Sequence, residues 1–330
     1  MPNFSGVWNL KEQGVAVKGD RWQPFIDLTG RAVFGGGFSS DYENTLDYIT
    51  IQSTGNATDF GNLIEARYGI CGSSNNTRGL KWQGMPYPGT TNGTVSIDYI
   101  TIASTGNASD FGDCDALGKR CAALANDTRS VKGGGSGLND EKMEYVTIAS
   151  TGNTTNFGDL LDSTNNGDMY GGSNTTRGVF LGRSESDTAQ NGNRIQYITI
   201  ASTGNATDFG DIQLLNSSGA SGNSSTRIVI SGGFNSSGSS TADIEYITTA
   251  TTGNASDFGD LSEAKNNQEG ASDKLRAVIA GGRNASNTTK DVMEYITIAT
   301  TGNATDFGDL TVARRPLHST GISSTHGGLA

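Results

Sequence analysis

The chain has only two histidines, three cysteines, three tryptophans and five prolines among 330 residues. The shortage of histidine narrows the chemistry first. His318 and His326 both lie near the C-terminal end, and no Gly-x-Ser-x-Gly, phosphate loop or paired metal motif accompanies them. Nucleophilic or metal-assisted catalysis has no recognisable machinery here, so neither enzyme activity nor a metal or other cofactor is expected. No apolar run approaches the eighteen or so residues of a membrane helix. The opening MPNFSGVWNLKEQ lacks the basic and apolar regions of a signal peptide. Together these absences predict no membrane insertion and synthesis in the cytoplasm. Basic clusters are missing too: 23 Lys and Arg face 34 Asp and Glu, a net charge of −11. Phosphate neutralisation needs a basic face, which argues against nucleic acid as a partner. Cys71, Cys114 and Cys121 make an odd count without zinc-type spacing, and read as free thiols.

What the chain has in plenty is repetition. One phrase occurs six times: DYITIQSTGNATDFG from Asp47, then close copies from Asp98, Glu144, Gln196, Glu245 and Glu294. The mean period is about 49 residues, the length of a propeller blade. Each phrase carries a β-rich run, such as Tyr295-Ile296-Thr297-Ile298, a Gly-Asn turn and a second short run containing a phenylalanine, which is hairpin chemistry. A further strand opens on Arg31, Arg78, Arg129, Arg177, Arg227 or Arg276, and most of these runs close on a glycine pair. Segments of small residues, such as Gly69-Ile70-Cys71-Gly72, precede most of these arginines and suit an innermost strand crowded around an axis. The first arginine element has no such segment before it, whereas Thr320–Ser324 follows the last hairpin. The expected fold is therefore all-β: a six-bladed propeller of four-stranded antiparallel blades over residues 31–330, closed by the C-terminal strand, with residues 1–30 as an extension. Thr325-His326-Gly327-Gly328 imitates Thr77-Arg78-Gly79 and offers the alternative of a seventh blade begun but unfinished.

Twelve of the 25 aromatic residues fall in the repeated hairpin and read as core between blades. The oxygen-rich phrase Asn303 to Asp309 does not keep the alternating spacing of a calcium loop, and Asp306 and Asp309 become Asn156 and Asn62 in other copies. A structural role is expected, with Asp59, Asp110, Asp208, Asp257 and Asp306 pairing with the strand-opening arginines of neighbouring blades. Sixteen positions match Asn-x-Ser/Thr, among them Asn56, Asn107, Asn205, Asn254 and Asn303. Turn chemistry explains them better than glycans do.

The order Gly-Gly, variable loop, Glu-Tyr hairpin and Ala-Arg pair (Ala66-Arg67, Ala313-Arg314) resembles the kelch repeat family over nearly the whole chain. Phenylalanine stands where kelch repeats usually carry tryptophan. The STGNATDFGDL wording also resembles repeats of virion proteins from tailed phages, marine ones especially, and Gly6 to Gln13 with Trp22-Gln23-Pro24 looks like the start of tail-fibre-type proteins. That resemblance implies a non-enzymatic structural protein of the virion, in a tail fibre, tail or capsid-associated position. Residues 1–30 would dock it to other virion proteins, through Trp8, Leu10 and Trp22, as a homo-oligomer within the assembly; the alternative is that these large side chains outside the repeat cap the bottom of the propeller. A free-standing soluble binding module for a glycan or protein is the alternative.

In a four-stranded meander the connections alternate between the two faces. The loop after Gly-Gly and the connection between blades share one face, and these are the segments that vary within the chain. Variable loops on a rigid scaffold usually carry function. Tyr42, Tyr87, Arg183, Phe234 and Arg283 are the contact candidates there, for a host-surface glycan or protein.

Overall fold

The computed structural model describes residues 30–88, 92–137, 140–161, 166–182, 192–213, 217–235, 237–316 and 320–329. Trp8, Leu10 and Trp22 of the expected docking segment, and the loop candidate Arg183, lie outside the described residues. All described regular structure is β, and six antiparallel sheets form the ring of a six-bladed propeller. Blade 2 gives the pattern: inner strand Cys71–Ser74 pairs with Arg78–Trp82, that with Thr94–Thr101, and that with Ser109–Lys119. Blades 3 to 6 repeat this order from inner strands Ala122–Ala125, Tyr170–Ser173, Ala220–Asn223 and Glu269–Ser272. Blade 1 is composite, because Ile322–Ser323 supplies the inner strand beside Arg31–Phe38, with Ile322 opposite Val33. The C-terminal strand thus closes the ring. The following residues do not begin a seventh blade. They cross one end of the axis instead, where His326 is buried, donates from Nε2 to the Ser74 carbonyl and accepts the Gly328 amide on Nδ1 at 3.0 Å.

Burial explains why the sequence alternates as it does. Third strands such as Lys142–Thr147 bury every second residue near their ends, while the inner strands are buried throughout and accept mostly small side chains. Each repeated tyrosine meets the phenylalanine of its own blade edge to face, with centroids about 6 Å apart, as in Tyr99–Phe111 and Tyr295–Phe307. Such a pair is worth about 0.5–1.5 kcal/mol beyond its buried area. The strand-opening arginines lie over these tyrosines at 4.1–4.5 Å. Their Nη1 atoms reach the next blade, Arg78 donating to the Ile148 carbonyl at 2.9 Å and Arg129 to Ile200 at 3.0 Å.

The expected pairing of these arginines with Asp59, Asp110, Asp208, Asp257 and Asp306 does not occur; those aspartates are exposed. The acids that fix register are the buried residues just before each tyrosine. Asp47, Asp98, Glu144, Glu245 and Glu294, with Gln196 in the fourth blade, each accept a backbone N–H from the segment leaving the preceding blade: Thr311, Ile64, Asp115, Gln213, Ser262 and Leu161. A buried carboxylate requires donors, and an N–H that has just left a strand requires an acceptor, so each satisfies the other. Asp47, Asp98, Glu144 and Glu294 also meet a cation: Arg314–Asp47 at 2.8 Å, Arg67–Asp98 at 2.6 Å, Lys132–Glu144 at 3.4 Å and Lys265–Glu294 at 2.5 Å.

The repeated asparagines are turn residues with a second task. Asn107 Oδ1 accepts the Asn62 amide of the blade before it at 3.1 Å, and Asn153, Asn205, Asn254, Asn303 and Asn56 do the same for Asp113, Asp159, Asp211, Asp260 and Asp309. The contact is close: a Cβ on Gly61, at φ +144°, would lie 2.4 Å from the Gly106 carbonyl oxygen of the next blade. Every outer strand is stitched to its neighbour's turn.

The cysteines correct the sequence reading. Cys71 and Cys121 form a disulfide, with Cα atoms 5.9 Å apart, and only Cys114 is free. Their separation of 50 residues is one repeat, so ring geometry brings them to adjacent places beside the axis. An odd total conceals such a pair. Burial pushes the Cys114 thiol up to about 12.

Candidate functional site

Small side chains crowd the axis. Ser73, Ala123, Ser173, Asn223, Ser272 and Ser323 line it, leaving about 20 Å³, room for a water molecule. Hydroxyls close the gaps between inner strands: Ser173 Oγ donates to the Ala125 carbonyl and Ser221 Oγ to Gly171, both at 2.7 Å.

On the loop face the mouth of the axis is bounded by a belt of backbone hydrogen bonds. The Arg120 amide donates to Gly69, Asp168 to Arg120, Ser218 to Asp168 and Asn267 to Ser218, at 2.5–3.0 Å. Arg120, Asp168, Ser218 and Asn267 all hold left-handed φ angles between 59° and 64°. A non-glycine residue pays roughly 1 kcal/mol or more for that conformation. The belt bond at each position offsets it. The sequence gives no signal of the belt, since glycine, arginine, aspartate, serine and asparagine fill equivalent places.

Beside the belt stands an aromatic cluster. Tyr42 stacks on Tyr68 at 5.7 Å and 22°, meets Tyr87 edge to face at 5.6 Å, and meets Phe38 in the same way at 5.8 Å. Backbone pairing holds the cluster in place: Tyr68 is opposite Met85, and Phe38 exchanges backbone bonds with Arg315. Tyr87 is 58% exposed. Tyr68 was not distinguishable in the sequence, where it looks like one residue of a connection; yet it touches Phe38, Tyr42 and, through its hydroxyl, Arg120 Nη2 at 3.1 Å.

Guanidinium groups border the rings. Arg315 lies 4.7 Å over Phe38, and Arg283 lies 5.9 Å over Phe234 while its Nε donates to Asn266 Oδ1 at 3.0 Å. Arg120 pairs with Asp168 at 3.6 Å. Arg283 and Arg315 have no carboxylate within ion-pair distance among the described residues. Burial, and then the nearby charge of Arg315, hold the Arg283 guanidinium below its ordinary pKa, while Tyr68 acts the other way. The backbone brings the two arginines close, since the Gly282 amide donates to the Arg314 carbonyl at 2.9 Å. Among the described residues no group of three or more His, Cys, Asp or Glu side chains is placed to hold a metal ion.

Of the loop candidates, Tyr42 and Tyr87 are in direct ring contact, and Phe234 and Arg283 form a second pair whose backbone meets that of Arg314 through the Gly282 amide. Phe38, Tyr68 and Arg315 complete the arrangement. No protein-family model matches the chain, and no curated protein matches it.

Proposed function

We propose that this propeller is a non-enzymatic binding module that engages a host-surface glycan or protein with its loop face, carried as a structural component of a tailed-phage virion. The observation supporting the binding half is the assembly, on one face, of half-buried tyrosines and cation-bearing loops that the sequence places far apart. The particle half rests on the resemblance of the repeated phrase to virion repeats. In that setting residues 1–30 dock the ring to other virion proteins and gather copies into an oligomer.

An array of glycans and host-surface proteins, probed with the full chain and with Tyr42→Ala/Tyr87→Ala, tests the binding half. A signal that the variant loses supports it, and a signal that the variant keeps places the contact elsewhere. No signal at all counts against a binding module. Light scattering on the full chain and on Trp8→Ala tests the other half. A defined oligomer weakened by the substitution supports particle assembly, whereas a monomer in both favours the free-standing module.

A further inference from the structure

The protein carries a net charge of −11, yet on the loop face two arginines that have no ion-paired carboxylate among the described residues follow directly on backbone-bonded neighbours, the Gly282 amide donating to the Arg314 carbonyl at 2.9 Å. Each is pre-positioned. Arg315 is pinned by reciprocal backbone bonds with Phe38, at 2.9 and 3.0 Å, and Arg283 by its strand pairing with Asn266 and by the Nε bond to that side chain. Their side chains rest on two phenylalanine faces, Arg283 on Phe234 and Arg315 on Phe38. Arg315 Nε is itself buried without a hydrogen-bond partner. A guanidinium so placed, in an acidic protein, is complementary to a carboxylate.

The rings indicate what carries that carboxylate. From Arg315 the path runs over Phe38 to Tyr42 and on to the exposed Tyr87, each step a ring contact of under 6 Å. A succession of aromatic surfaces with hydroxyls at their edges suits a short run of pyranose rings, each having an apolar face and polar rim. A peptide would want a free sheet edge or an apolar groove. The outer edges are already covered by the neighbouring turns, and the exposed large apolar side chains Ile64, Leu117, Leu161 and Leu275 belong to four different blade exits or turns.

We propose that the loop face binds an acidic oligosaccharide, with a uronate-type carboxylate held between Arg283 and Arg315 and neighbouring sugar rings lying along Tyr42 and Tyr87. This rests on the reading of that face as the contact surface. Calorimetric titration of the full chain with hexagalacturonate, and with neutral maltohexaose as its counterpart, tests it. Hexagalacturonate is expected to bind with an affinity that falls as salt rises, and at least tenfold more tightly than maltohexaose. Arg283→Gln and Arg315→Gln should each weaken it roughly tenfold, the loss of one charge-assisted contact. Tyr87→Ala, at an exposed position, should weaken both sugars without affecting the fold. Failure of hexagalacturonate to bind, equal binding of the two sugars, or affinity untouched by both arginine substitutions overturns the proposal. If another array ligand is nevertheless lost in Tyr42→Ala/Tyr87→Ala, the contact face survives and only its ligand class was wrong.

Discussion

Ring closure depends on a buried charge pair, and the size of that dependence follows from what surrounds it. Lys81, on the second strand of blade 2, reaches Glu269 at the start of blade 6's inner strand, and both side chains are 2% exposed. The two blades flank composite blade 1, whose inner strand contributes only Ile322–Ser323. Glu269 has one further donor, the Gly35 amide at 3.0 Å. Lys81→Met keeps most of the side-chain volume but leaves a buried carboxylate with that single amide. Removing one partner of a buried pair costs about 3–5 kcal/mol. Against a total stability of about 5–15 kcal/mol this is a large fraction. With a urea slope of about 3 kcal/mol/M, the unfolding midpoint falls by about 1–1.7 M. Lys81→Met/Glu269→Gln removes the charge while retaining the acceptor for Gly35, and should recover at least about 2 kcal/mol of the loss. Urea titrations of both variants check this. A single substitution costing under about 1 kcal/mol, or a double variant no better than the single one, would refute the view that the uncompensated charge is what matters.

Other expectations follow from the stitches, the plug and the sulfurs. Asn303→Ala frees the exposed Asp260 amide to water and should cost about 0.5–1 kcal/mol in a urea titration; because the six stitches are well separated, Asn107→Ala and Asn205→Ala should add to it. Burial holds the His326 pKa below 6.5 despite its bond to Ser74, so its contribution is complete above pH 6.5 and is lost as pH falls through the depressed value. Thermal melts at pH 7.5 and 5.0 should therefore differ less for His326→Gln than for the parent. Reducing Cys71–Cys121, which spans 50 residues, should lower stability by up to about 4 kcal/mol. Cys114 should resist alkylation at pH 8 until the chain unfolds, since its thiol is buried and pushed up to about 12.

The blade architecture was readable because hydrophobic period, turn residues and a fixed 49-residue interval agreed, and the missing inner strand before Arg31 pointed to Thr320–Ser324. Polar partnerships were less accessible. Asp306 and Glu294 recur equally faithfully, but only burial shows that Glu294 organises the preceding blade exit while Asp306 faces water. The disulfide was hidden by treating cysteines as a count when their spacing matched the repeat. At the candidate site, variation singled out Tyr42, Tyr87, Phe234 and Arg283. Tyr68 and Arg315 lie in connections whose residue types carry no periodic signal, and their importance comes from backbone pairing with Met85 and Phe38.

The composite first blade also sets a timetable for biosynthesis. Arg31 must wait for Ser324, 293 residues later, before its backbone amide finds its partner. Blades 2 to 6 each hold all four strands in continuous sequence and are able to pair as they leave the ribosome. Until Ile322 arrives, Val33 and its neighbours have an unpaired strand edge on one side. Copies translated close together on one message therefore risk lending that last strand to one another, and the interval between the emergence of blade 1 and residue 324 is when the nascent chain is most exposed to a swapped ring.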